Sequence, residues 1–109
     1  MEEVSDVIDV QPMFIDGKPF TAVTVKLPKT NFMAVTNDVG YIMCGALDVA
    51  LLNEKLAARK IVAGRAVGVR TIDDLLNAPL ESVTYEAEYL GIHAGMSGKE
   101  ALLRMVEKV

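Results

Sequence analysis

Asp16-Gly17 lies between two extended apolar runs, and no other dipeptide constrains the start of this fold so tightly. Glycine takes positive φ without steric cost and aspartate tolerates it, so Asp-Gly closes a tight antiparallel hairpin. The run before it, residues 4–16, carries Val4, Val7, Ile8, Val10, Met13, Phe14 and Ile15 with acids interleaved. The return strand, about 20–27, alternates: Thr21, Val23, Val25 and Leu27 share one face, and Phe20, Ala22, Thr24 and Lys26 the other. Pro28 ends it, because proline cannot donate to a ladder. Two further runs, Asn31–Val35 and Tyr41–Cys44, are apolar on both faces, the pattern of central strands covered on both sides. Asn37-Asp38-Val39-Gly40 supplies the turn between them and predicts a second hairpin.

The second half changes period. Residues 46–60 read as a helix, with Val49, Leu52 and Leu56 in one stripe and Leu47 and Leu51 nearly opposite. A helix apolar on two sides is covered on two sides, and in so short a chain the second cover points to another subunit. Ile61–Gly64 and Arg65–Val69 read as a buried strand interrupted by glycine. Thr71-x-x-Asp74 resembles a capping box and opens a short helix, Ile72 to Asn77, stopped before Pro79. Residues 81–90 alternate, with Val83, Tyr85, Ala87 and Tyr89 on one face, and predict a half-solvated strand. Ser97-x-x-Glu100 is a capping box ahead of a final amphipathic helix that begins at Ala101. The expected class is α+β (mixed α/β): one domain over 1–109, a hairpin-rich N-terminal half, and a mixed sheet with three helices in the C-terminal half.

Composition narrows function by exclusion. At 51% hydrophobic, 109 residues hold more apolar side chains than a small monomer has interior to fill. A net charge of -4 with scattered Lys and Arg argues against nucleic acid as partner. No apolar stretch approaches the roughly 20 residues of a membrane helix, and the acidic start lacks the basic region of a signal peptide. One cysteine and one histidine make a transition-metal site within one chain improbable, and no cofactor motif is present. A lone cysteine fits the reducing cytoplasm.

That cysteine, Cys44, carries the sharpest chemical hypothesis. It stands where a strand gives way to a helix, so the amides from Gly45 onward and the helix dipole would favour a thiolate. The plain alternative is a small buried hydrophobe at a tight turn. A nucleophile needs a base, and His93, in a glycine-rich loop, is the sole imidazole; the plain reading is a solvated loop histidine. Asp48 would oppose the thiolate if it faced the sulfur. The loop Gly91–Gly98, with Gly95 and Ser97, could aim backbone N–H groups at a small anion, as could Arg70 with Thr71. Helix capping alone explains both patterns.

Four segments together resemble the YunC-like domain, a small bacterial and archaeal family of unknown function: Leu27-Pro28-Lys29-Thr30; Gly40-Tyr41-Ile42-Met43-Cys44-Gly45; Gly68-Val69-Arg70-Thr71-Ile72 with Asp74-Leu75-Leu76; and Gly91-Ile92 with Gly95-Met96. The similarity covers nearly the whole chain, in order, and Met43-Cys44-Gly45 is its most specific piece. The resemblance implies a compact α/β-type domain whose N-terminal strands take part in tetramer formation. It transfers no activity. Two function classes stand: a homo-oligomeric, non-catalytic assembly or small-ligand-binding protein, and a thiol-dependent enzyme or redox protein using Cys44. No complete catalytic constellation is visible, so the first is the expectation.

Overall fold

The computed structural model describes residues 8–28, 30–45, 49–54 and 57–108. Six strands form one sheet in chain order: β1 (Ile8–Ile15), β2 (Lys18–Leu27), β3 (Thr30–Thr36), β4 (Gly40–Met43), β5 (Val62–Arg65) and β6 (Ser82–Val83). All neighbours are antiparallel except β4 and β5, which run parallel and are joined through α1 (Val49–Glu54) and a 3-10 turn, Ala57–Arg59. The remaining helices are α2 (Ile72–Asn77), α3 (Tyr85–Tyr89) and α4 (Gly98–Lys108). None is long and apolar enough to cross a membrane.

The Asp16-Gly17 turn forms with both residues at positive φ, 52° and 80°, the signature of the tight turn whose twist matches its flanking strands. It sets the register, with Ile15 opposite Lys18, and the register divides the side chains between faces. The inner face presents Ile15, Phe20, Met33, Val35, Ile42 and Val62 to Leu75 and Leu76 of α2 and Leu102 and Met105 of α4. Val35, Ile42, Leu75, Leu102 and Met105 are completely buried. Among the described residues, the outer face is covered only at its far end, where Val49 and Leu52 of α1 pack on Ala63, with Tyr41 and Met43 beside it. Over β1–β3 this face carries Ile8, Val10 and Phe14, all exposed, beside half-buried Val23, Val25 and Phe32.

Three expectations need correction. Residues 81–90 do not form a long strand: β6 stops at Val83, and Thr84 caps α3, its hydroxyl accepting from the Ala87 amide at 3.3 Å. Over so short a span the alternating pattern also fits a helix, since Val83 and Ala87, four apart, are the buried pair. Thr84 is itself buried and accepts the Ala63 amide at 3.1 Å, tying the helix start to β5. Among the described residues the sheet is therefore accompanied by four α-helices rather than three. The helix expected over 46–60 is described only as Val49–Glu54 plus the 3-10 turn, and the strand expected over 61–69 is confined to Val62–Arg65. Val4, Val7, Lys29, Ala46, Leu47, Asp48, Lys55 and Leu56 lie outside the described residues.

Candidate functional site

The C-terminal ends of β4 and β5 lie side by side, and their onward connections lead to helices on opposite faces: α1 on the outer face, α2 on the inner. In open α/β sheets such a reversal is where ligands are held. Here Cys44 and Gly45 follow β4 and Arg65 ends β5.

Cys44 is buried, 6% exposed, and is bonded into the sheet. Its amide donates to the Met33 carbonyl at 3.0 Å, extending the β3–β4 ladder by one residue. The Met33 amide, which a regular ladder would pair with the Cys44 carbonyl, donates instead to Cys44 Sγ at 3.4 Å. Sγ makes its own weak donation to the Asn31 carbonyl at 3.9 Å. The thiol thus closes the end of the ladder, facing the inner core beside Met33 and Ile42. Among the described residues its hydrogen-bond partners are backbone groups, with no base among them.

His93 is exposed, and its Nδ1 lies 2.9 Å from the Ala94 carbonyl, the backbone of its own neighbour. No hydrogen bond joins His93 to Cys44 among the described residues.

The loop before α4 spends its amides internally. Gly95 N–H donates to the Leu80 carbonyl at 2.9 Å, and Gly98 N–H to the Ala78 carbonyl at 3.2 Å. Ser97 Oγ accepts the Glu100 amide at 3.2 Å, the cap that its spacing predicts. Thr71 Oγ1 likewise accepts the Asp74 amide at 3.0 Å. Asp74 in return accepts the Arg70 amide at 3.1 Å, one residue earlier than a standard capping box. Arg70 is exposed. Thr71→Ala is expected to cost about 1 kcal/mol of stability, the usual worth of such a cap, read as a lowered thermal midpoint with the assembly state unchanged.

Arg65 is the site residue that sequence reasoning missed. Its Nε and Nη2 fork onto the Gly45 carbonyl at 3.3 and 3.2 Å, and its Nη1 pairs with Glu81 at 2.8 Å. The Ser82 hydroxyl donates to the same Glu81 oxygen at 2.9 Å. Hydrogen bonds from Ser82 and then Arg65 hold the Glu81 carboxyl below its usual range. The contribution of this pair is present at neutral pH and is lost as acid protonates Glu81. By register Arg65 stands on the outer face and the Cys44 side chain on the inner, so the guanidinium clamps the Gly45 turn and does not face the sulfur. A lone arginine after a glycine carries no local sign of a partner sixteen residues on.

The match to a family model decides the kinship: residues 43–105 fit the domain of unknown function DUF1805. The chain belongs to the DUF1805 family. It is 77% identical over 100 residues, 92% of its own length and 99% of the relative's, to "Uncharacterized protein YunC" of Bacillus subtilis (strain 168). A crystal structure of a protein of unknown function, TA1206 from Thermoplasma acidophilum, superposes with a TM-score of 0.81 at 26% identity, covering 90% of this chain and 92% of that one. The DUF1805 match begins at Met43, so it takes in the Cys44–Gly45 turn, the Arg65 clamp and α2 to α4 and leaves the N-terminal hairpin before it.

Proposed function

We propose that this DUF1805 protein is a homo-oligomeric assembly protein of the cytoplasm, joined through the outer face of its N-terminal strands and using no thiol chemistry. One observation carries the reading. Away from the helices, the hairpin is polar on one face and apolar on the other. The inner face there shows Asp9, Gln11, Thr24 and Lys26, whereas the outer face shows Ile8, Val10, Val23, Val25 and Leu27, with Thr21 and then Phe14 continuing it toward the hairpin turn. Phe14 is 69% exposed and Val10 58%. A face left in water is polar, so the apolar one is built to be covered. Three strands of about eight residues present roughly 400 Å² in plan, the size at which apolar patches mark interaction sites.

Edge geometry supports face-to-face contact over edge-to-edge. With Ile15 and Lys18 closing the hairpin as a bonded pair, alternation makes Pro12 opposite Thr21 an unbonded pair whose amide position looks outward. Proline removes that donor and blunts β1 against a further strand. A twofold pairing of outer faces then gives a sandwich of two sheets. The tetramer implied by the YunC-like resemblance needs a second contact of this kind.

Light scattering on the eluting protein tests the reading. The wild type is expected at a multiple of the chain mass, and a Val10→Glu, Phe14→Glu variant at the monomer mass with an unchanged far-UV spectrum. Two unpaired carboxylates in an apolar interface cost several kcal/mol, enough to raise the dissociation constant about a thousandfold or more. A wild-type monomer at micromolar concentration would overturn the proposal.

A further inference from the structure

At the opposite end of the parallel pair from Cys44, a groove of about 310 Å³ opens between the β3–β4 turn and the start of β5. Its lining includes Asn37, Asp38, Tyr41, Arg59 and Lys60. We propose that this groove binds the phosphate group of a small phosphorylated metabolite, with Arg59 and Lys60 as its charge partners. The inference is independent of the assembly reading.

Four observations carry it. Arg59 and Lys60 are adjacent exposed cations with no carboxylate partner among the described residues, in a protein whose net charge is -4. Arginine offers a planar fork to two oxygens of one anion and lysine a compact point charge to a third. Tyr41 adds a hydroxyl donor; burial pushes its phenol up from the ordinary value, so it stays protonated at neutral pH. Asn37, also in the lining, has its Oδ1 engaged by the Val39 and Gly40 amides, at 2.9 and 3.1 Å, while its Nδ2 makes no hydrogen bond among the described residues and has both donors to offer.

Lys60 is also held at φ 52°, directly after the 3-10 turn, where glycine is the customary residue. A side chain at that conformation is disfavoured, so the fold tolerates strain to place an ammonium there.

The donor set selects the anion class. A phosphate dianion uses two cations and three or more donors, whereas a carboxylate has two oxygens to offer. Asp38, the one carboxylate in the lining, opposes an anion and moderates affinity. At about 310 Å³ the groove sits at the low end of ligand sites and has room for an organic residue beside the phosphate.

Calorimetric titration of the intact protein with inorganic phosphate, at fixed ionic strength in a phosphate-free buffer, tests this. Saturable binding of one phosphate per chain is expected. Removing either cation by Arg59→Ala or Lys60→Gly should weaken it about ten- to a hundredfold, the worth of one charge-assisted hydrogen bond. Lys60→Gly relieves the strained backbone, so its folded state should be at least as stable as the wild type, and lost binding cannot be ascribed to unfolding. Asp38→Asn should tighten binding, and Lys99→Ala on α4 should leave it unchanged. Absence of saturable binding, equal binding of acetate, or binding indifferent to Arg59→Ala and Lys60→Gly would each overturn the proposal.

Discussion

Replacing Gly98 with alanine is expected to destabilise the domain by about 3 kcal/mol, at the upper end of what overpacking costs. Two effects oppose each other. Alanine in the first turn of α4 is a better helix former than glycine, a gain of at most about 1 kcal/mol. Against it, a β-carbon at Gly98 would overlap the Leu75 carbonyl oxygen and sit 2.6 Å from Ile42 Cδ1. The first obstacle is backbone, and that backbone is not free to retreat. The Thr71 hydroxyl holds one end of α2, the Ala78 amide donates to Asp74 at 2.8 Å at the other, and the Gly98 amide itself bonds the Ala78 carbonyl. Leu75 and Ile42 are both completely buried, so neither can swing into solvent. The steric term wins. Urea denaturation should show a lower midpoint with little change in slope. A Gly98→Ala variant as stable as the wild type would mean that α2 and α4 can part by several tenths of an ångström without loss, contrary to this packing.

How much of this could be read from the sequence depends on whether the cause is local. Asp16-Gly17, Thr71 and Ser97 act within four residues of themselves, so the hairpin and the starts of α2 and α4 follow from spacing alone. The β3–β4 turn is of the same kind, since Asn37 satisfies two amides within three residues. Helix α3 is not, because the Asn53 side chain, thirty-two residues away, accepts the Tyr85 amide at 2.9 Å, and Thr84 is fixed by its bond to β5. A local alternation of apolar residues cannot report either partner. The parallel pairing of β4 and β5 is similarly hidden, as β4 and the part of β5 before Arg65 are apolar and suit any interior strand. At the candidate site, Cys44 was conspicuous because it is unique. What makes it structural, the Met33 amide that donates to its sulfur, takes up that position only once β3 and β4 are paired. Arg65 and Lys60 lacked any flag: one gains meaning from Gly45 and Glu81, the other from a backbone angle.

Alkylation of Cys44 in the native protein is expected to run at least roughly a thousandfold slower than in the unfolded chain, because the sulfur is reached only through opening of the sheet. The thiol closes the β3–β4 ladder, so reagent access requires breaking the Met33 contacts and exposing core around Ile42. Such openings cost a sizeable part of the global stability, on the order of 5–15 kcal/mol for a domain of this size. Labelling should therefore accelerate through the urea transition and not before it. Fast labelling of the folded protein in the absence of urea would mean an exposed, reactive thiol, and the enzymatic alternative would displace the assembly reading. Cys44→Ala separates role from packing. It leaves the Met33 amide without a partner in a buried place and should cost about 1–3 kcal/mol, yet the assembly mass should persist, since Val10 and Phe14 lie on the other face of the sheet. Loss of stability with assembly retained identifies Cys44 as the lock of the β3–β4 ladder and leaves self-association to the outer strands.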